Sequence, residues 1–343
     1  MRILVKLPTW LGDAVMATPA LELLHARFPE AHFTYIGSSA TCALFERDSR
    51  IERLIVDDSK KAKGRIKGIL MLARRAGKHD LAITFQNTFL SALLLFLTRS
   101  KTRIGFANEA RSFLLSYAPK IPKNIHQVER YVRLLQPLGI GAKSLSSKNR
   151  AEFSEAIPSL CVYSRAIPPL LHAPKIIGIN PGAAYGSAKR WTQAHFSTLI
   201  SLLLECGYGV VICGGEGDRE GNERILATLK PSPLLLDLTA KTSLSELIDT
   251  IATFDLFITN DSGPMHLACA LKVPLIALFG STDHTETSPY NPSAPMILLS
   301  KHLPCSPCKK RVCPLSHHNC MELLLPSEVM EAVRSIFAQR EFA

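Results

Sequence analysis

Residues 259–283, TNDSGPMHLACALKVPLIALFGSTD, constrain the fold more than any other stretch of this chain. Asp255–Thr259 (DLFIT) is apolar enough for an internal parallel strand, Ser262-Gly263-Pro264 makes a tight turn, and Met265–Leu271 has helical spacing. Pro264 suits the first turn of that helix. A second buried apolar run, Leu275–Phe279, then ends in another polar turn, Gly280-Ser281-Thr282. A helix entered from a strand tip in this way points unpaired backbone N–H groups and its positive end at whatever lies above the tips, which makes a diphosphate the natural guest. Asp261 and His266 flank the same crevice. Each has two readings: a carboxylate on a ligand hydroxyl or a cap on its own helix for Asp261, an imidazole on a phosphate or a side chain packed on the sheet for His266.

Alternating strand and helix patterns run through the whole chain, so an α/β class follows. With 343 residues and 47% hydrophobic content the chain is too long for one ordinary core and fits two doubly wound domains. Strands are expected at Ile3–Leu7, His32–Ile36, Arg53–Val56, Leu81–Thr84 and Arg103–Gly105, and again at Ile176–Asn180, Gly209–Cys213, Leu234–Asp237, Leu256–Thr259 and Leu275–Phe279. A stretch from about Ala142 to Pro174, rich in Ser, Pro and Lys, separates the two sets. The expected division is 1–160, 175–325, and a terminal amphipathic helix at 326–343 packing back across the first domain. Two such domains facing each other would open the C-terminal ends of both sheets into a central cleft.

Forty Lys and Arg against 29 Asp and Glu give +11, which suits an anionic partner: nucleic acid, a phosphorylated ligand or an acidic membrane surface. MRILVKLP runs straight into a strand pattern without a long apolar leader, and the longest apolar run, Phe89–Leu97, is too short to span a bilayer. A cytoplasmic protein is expected, and the nine cysteines read mostly as buried thiols of a reducing compartment.

Three segments carry chemistry. The first βα turn, LPTWLGDAVMATPAL, places Gly12 and Asp13 at the start of a helix, where Asp13 either caps that helix or serves as a general base on a substrate hydroxyl. The second domain opens with GINPGAAYGSAKRW. Its small residues Gly182, Ala183, Ala184 and Gly186 let backbone approach a ligand, Tyr185 lies among them, and Lys189 and Arg190 add positive charge. The spacing is not that of a Walker P-loop. Trp191 reads as core more than as a stacking platform. The third segment, Gly215-Glu216-Gly217 with Gly221, has the look of a nicotinamide dinucleotide loop, but Glu216 inside it would repel a pyrophosphate while accepting hydrogen bonds from ribose hydroxyls. No D-x-D pair occurs, so there is no carboxylate clamp for a metal-bound nucleotide diphosphate.

Taken together, LGDAVMATPAL, PGAAYGSAKRW, the Glu216 loop and NDSGPMHLACAL followed by FGSTD resemble the heptosyltransferases of glycosyltransferase family 9. The resemblance spans nearly the whole chain. It implies a GT-B fold, two Rossmann-like doubly wound domains around a cleft, with an acceptor-binding first domain and a donor-binding second one. It also implies ADP-heptose as donor, inversion at the anomeric carbon without a metal or cofactor, and the lipopolysaccharide inner core as acceptor on the cytoplasmic face of the inner membrane. Carried over position by position, Asp13 matches the family's base, Lys189 its phosphate-contacting lysine and Glu216 its nucleoside-contacting acid. Asp261, Ser262, Gly263 and His266 match its donor loop; Ser262 stands where some members have Thr, keeping the hydroxyl. Gly12 and Arg103 are expected with Asp13 on the acceptor side. Within the family, YGSAKRW and PCSPCKKRVCPLSHHNCM resemble the branch that adds the second heptose; the alternative is the branch that adds the first, to Kdo–lipid A.

Two further features are left open by the sequence. Cys305, Cys308, Cys313 and Cys320, with His317 and His318, could build a tetrahedral metal site that folds the loop, or could be reduced thiols. Leu93–Lys123 mixes apolar clusters with Arg99, Lys101, Arg103, Arg111, Lys120 and Lys123, and could rest on an anionic membrane, hold a phosphorylated acceptor, or be a core helix followed by a solvated basic loop. A nicotinamide oxidoreductase is disfavoured because LGDAV stands where its first loop belongs. A zinc-stapled nucleic-acid-binding protein is disfavoured because no such motif occurs.

Overall fold

The computed structural model describes residues 1–140, 157–290 and 292–341. It divides into two compact units, Met1–Tyr163 and Ser164–Ala343. Most of the Ser- and Lys-rich part of the expected linker, residues 142–156, lies outside the described residues, as do 342–343 at the end of the terminal helix.

The first unit carries β1 (Arg2–Lys6), α1 (Leu11–Arg27), β2 (His32–Gly37), α2 (Ser39–Ala43), β3 (Ile51–Val56), α3 (Arg65–Ala76), β4 (Leu81–Thr84), α4 (Phe89–Leu97), β5 (Thr102–Ile104), a 3-10 segment at Glu109–Leu114 and α5 (Gln127–Leu134). Its strands form one parallel sheet in the order β3-β2-β1-β4-β5. Ile3, Leu4 and Val5 are fully buried, as a strand covered on both faces must be. The chain steps outward from β1 through β2 to β3, then returns to the other side for β4 and β5. Right-handed crossovers therefore put α1 and α2 on one face and α3 and α4 on the other. The order reverses between β1 and β4, and a crevice opens above that point.

The second unit repeats the plan with β6 (Ile176–Asn180), α6 (Gln193–Glu205), β7 (Gly209–Ile212), α7 (Arg219–Leu226), β8 (Leu235–Asp237), α8 (Leu244–Ile251), β9 (Leu256–Asn260), α9 (Gly263–Ala270), β10 (Leu275–Phe279) and β11 (Met296–Ser300). The parallel order is β11-β10-β9-β6-β7-β8, so its switch point lies between β6 and β9. Gly178 in β6 is there because a Cβ would stand 2.2 Å from the Phe254 ring.

Two expectations are revised. β11 was not read from the sequence, since MILLS is only half-buried and follows a Pro- and Asn-rich loop. The terminal helix, Pro326–Glu341, was expected on the first domain. Its Val329, Met330, Val333 and Ile336 are instead buried in the second unit's core with Phe196, Leu199 and Leu203 of α6. That unit has an apolar sheet face wide enough to take the stripe, so the helix completes the unit from which it emerges.

Candidate active site

Because every strand pairing is parallel, the loops that follow the strands of each unit gather at one sheet edge. In the first unit the switch point is flanked by the turn after β1 and the loop after β4. Trp10 holds the N-cap position of α1 in extended conformation without a side-chain cap, and Asp13 falls in the first helical turn, where the helix's positive end favours a carboxylate. The hydroxyl of Tyr131, reaching up from α5, donates to Asp13 Oδ1 at 3.2 Å. Burial, and then the Asp13 charge, push the Tyr131 phenol well above its ordinary value, so it stays a donor across the working pH range. The two strand loops are tied together by Gln86, whose Nε2 donates to the Leu7 carbonyl at 2.7 Å.

Beneath this loop lies Arg111, fully buried. Its guanidinium donates to the carbonyls of Phe106, Gln86 and Thr88, fixing the chain after β4 against the chain after β5. In the sequence Arg111 stands out only as part of the basic stretch Leu93–Lys123. No local signal marks it, because its partners, mostly backbone carbonyls, lie up to 25 residues away. Arg103, expected on the acceptor side, lies in β5. Its Nε donates to the Leu114 carbonyl at 2.8 Å and its Nη1 to the Ser100 carbonyl at 2.7 Å, and the guanidinium stacks over Phe96 at 5.6 Å, so two of its three nitrogens are engaged by the chain itself.

In the second unit the loops after β6 and β9 meet across the switch point. Lys189 Nζ lies 2.6 Å from Asp261 Oδ2, and Thr282 Oγ1, from the turn after β10, donates to the same oxygen. Asp261 is 3% exposed. It therefore neither caps α9 nor points to solvent: it ties three strand-tip loops together and holds the lysine ammonium in place. Ser262 is the N-cap residue of α9, and Pro264 sits in its first turn as the sequence indicated. The Ser262 hydroxyl faces Thr259 Oγ1 at 3.0 Å and Asn180 Nδ2 at 3.4 Å. Gly263 opens the helix, and His266 is buried within it. The amides of this turn and of Gly280-Ser281-Thr282 lie at the same sheet edge as Lys189.

The small-residue loop is built to a tight fit. A Cβ on Gly182 would lie 2.3 Å from the Asp218 carboxylate, and one on Gly186 would lie 2.3 Å from the Arg311 carbonyl. Ala183 is buried and Ala184 exposed. The Tyr185 hydroxyl donates to the Lys309 carbonyl at 3.0 Å, and its ring lies 5.0 Å from Lys189 Nζ and 5.3 Å from the Arg311 guanidinium. Arg190 is 3.5 Å from Asp218, whose other oxygen accepts from the Gly215 amide at 3.0 Å. Asp218 thus couples the loops after β6 and β7, a role missed beside the more conspicuous Glu216. Glu216 itself is exposed, and a paired hydrogen bond from Arg219 holds its carboxyl below the usual range. Trp191 is core, with Nε1 donating to the Leu324 carbonyl at 2.8 Å.

The cysteine-rich segment packs against these loops. The Arg311 carbonyl accepts from the Ala188 amide, the Lys309 amide donates to the Ser281 carbonyl, and the Ser306 hydroxyl donates to the Gly280 carbonyl. Cys305, Cys308, Cys313 and Cys320 line one small pocket with His317 and His318. Backbone N–H groups of His318, Leu315, Ser316 and His317 lower the Cys313 thiol below its ordinary value. Among the described residues no three His, Cys, Asp or Glu side chains are placed to hold a metal ion.

Two open parallel sheets in two Rossmann-like units are the architecture of the GT-B class of glycosyltransferases. The structure of Escherichia coli ADP-heptose LPS heptosyltransferase II has this fold, with a TM-score of 0.79 at 27% identity over 99% of this chain and 100% of that one. The family model for glycosyltransferase family 9 (heptosyltransferase) matches residues 69–319. Lipooligosaccharide heptosyltransferase 2 of Campylobacter jejuni serotype O:6 is 35% identical over 98% of this chain and 99% of its own length. Lipopolysaccharide heptosyltransferase 2 of E. coli K12 is 30% identical over 99% of this chain and its own full length. The chain belongs to glycosyltransferase family 9.

Proposed function

We propose that the protein transfers heptose from ADP-heptose to the first heptose of the lipopolysaccharide inner core, with inversion and without a metal. The observation that carries this reading is the lysine–aspartate–threonine knot at the second unit's switch point, a cation held beside helix and turn amides in an arrangement suited to a diphosphate. Full-length similarity to heptosyltransferases named 2 supports the choice of acceptor.

In the first unit, which takes the acceptor, Asp13 accepts the proton of the attacking hydroxyl, kept oriented by Tyr131. The new C–O bond forms on the face of the anomeric carbon opposite ADP as the bond to the diphosphate breaks. The leaving electron pair settles on an ADP oxygen, where Lys189 and the amides at Ser262-Gly263 and Gly280-Thr282 meet the developing charge. Asp261 keeps one ammonium proton of Lys189 and orients the other two. Gly182, Ala183, Ala184, Tyr185, Gly186 and Arg190 line the donor side with Glu216, which faces the nucleoside ribose, and His266 supports the loop from within α9. Gly12 leaves room for the acceptor beside Asp13; Arg103 is kept as an acceptor contact only through its remaining face. No helix among the described residues is long and apolar enough to cross a membrane. The protein works at the inner face of the inner membrane as a peripheral enzyme.

The test is the product. Incubation with ADP-heptose and an acceptor carrying a single heptose is expected to add one heptose whose anomeric configuration, by proton NMR, is opposite to the donor's. Retained configuration, or addition only to an acceptor without heptose, overturns the reading.

A further inference from the structure

Between Lys60 and Lys123 the chain carries fourteen Lys and Arg and two Asp and Glu, while the whole chain of 343 residues carries a net charge of +11. All the excess positive charge is therefore in this one segment of the first unit, and the remainder is close to neutral. The segment includes α3, α4 and the 3-10 turn, whose inner sides share one core: Ile69 and Leu72 from α3, Leu94 and Leu95 from α4, Leu114 and Leu115 beyond. Their outer sides mix basic residues with large apolar side chains, where a purely solvated surface would carry few of the latter. Ile66 is 64% exposed, Met71 51%, Phe96 48% and Phe113 73%, with Leu70 and Phe89 also exposed. Phe89 and Phe113 lie 6.5 Å apart, and the Arg103 guanidinium covers the Phe96 ring. Scattered apolar side chains on a surface need no explanation, but six on three neighbouring elements do.

The charges around them are largely unmatched. Asp58 pairs with Arg75 and Asp80 with Lys101. Lys67 and Arg74 are exposed on α3, and among the described residues the ion pairs of this region are those of Arg75 and Lys101. A helix with Ile66, Leu70 and Met71 bordered by Arg65, Lys67, Arg74 and Arg75 has the composition that lies in a headgroup layer, apolar side chains down and long basic ones reaching for phosphates.

We propose that the outer face of α3, α4 and the 3-10 segment is the surface by which the first unit rests on an anionic lipid bilayer. The choice of a bilayer rests on the reading above, in which the acceptor is lipid-linked. The bilayer supplies both an apolar layer for Phe113 and Ile66 and a negative potential for the basic residues, and both contributions are required for stable attachment.

The experiment is co-sedimentation of the full-length protein with vesicles of phosphatidylcholine alone, or of phosphatidylcholine mixed with phosphatidylglycerol, at low and high salt. Two double variants are compared: Ile66→Ser with Phe113→Ser, and Lys67→Glu with Arg74→Glu. The unaltered protein is expected to bind only the anionic vesicles and to be released by salt. Each variant should bind at least about tenfold more weakly, with unchanged melting temperature and unchanged transfer to a soluble, delipidated acceptor. Variants that bind as well as the unaltered protein overturn the assignment. So does an unaltered protein that ignores anionic vesicles, or one that a single-stranded oligonucleotide strips from them at equimolar phosphate. Vesicle binding by an unaltered protein inactive on the soluble acceptor would leave this surface standing and refute the transferase reading.

Discussion

The position of Asp13 was legible in the sequence because LPTWLGDAVM reads as a strand, a turn and a helix start, and Asp13 does lie in that helix's first turn. Its orientation was not, because that depends on Tyr131, 118 residues away. If Asp13 is the base, Asp13→Asn should lower kcat by about 10²–10⁴-fold while ADP affinity by calorimetry stays near that of the unaltered enzyme. Weakened ADP binding at normal turnover would place Asp13 on the donor instead. Lys189 and Asp261 were each read separately from the sequence; their contact was not, because 72 residues separate them and only the pairing of β6 with β9 brings them together. A different residue contributes to acid stability. His25 is buried against Phe33 and Tyr35, and burial pushes its pKa down to about 4 from the usual 6.5. The unfolded chain therefore binds the extra proton between those two values, so stability falls as pH drops below about 6.5 and the loss is complete near 4. The full effect amounts to about 3 kcal/mol. Thermal melts from pH 7 to 4 should show this decline, and His25→Gln should flatten it; an unchanged slope would mean that another group dominates.

At the scale of elements, most strands were readable because an all-parallel sheet demands continuous apolar runs, and runs such as IIGIN and LIALF have few other uses. The terminal helix shows the limit of such reading. Its apolar stripe announced burial, but nothing in the stripe says which face will receive it, and α6 with its sheet supplied the match. The cysteine-rich segment shows another limit. Its spacing drew attention to metal chemistry, whereas its backbone is what brackets the loops at 186–189 and 280–282. Gly186 is the tightest point of that contact, with a backbone carbonyl where a Cβ would be. A backbone atom cannot rotate aside, so Gly186→Ala should push the two segments apart and weaken ADP-heptose binding by about tenfold or more at unchanged acceptor KM. Normal donor affinity in that variant would show that the bracket is unrelated to donor binding.

For the whole molecule, the proposed mechanism divides the chemistry between the two units as the sequence divides the charge. The first holds Asp13 and nearly all the net positive charge; the second holds Lys189 and the amide-lined loops in a near-neutral body. The doubled α/β plan was legible because the alternation of elements repeats, and the family because its motifs recur in order along the chain. The acceptor was only partly legible: an oligosaccharide is recognised by side chains from many loops, and no single motif records which sugar they fit. ADP release from ADP-heptose in the presence of a chelator, with an inner-core acceptor bearing one heptose and with one bearing none, is the decisive measurement. Release that depends on the singly heptosylated acceptor and survives chelation is the predicted result. Release only with the heptose-free acceptor, or none with either, would contradict it.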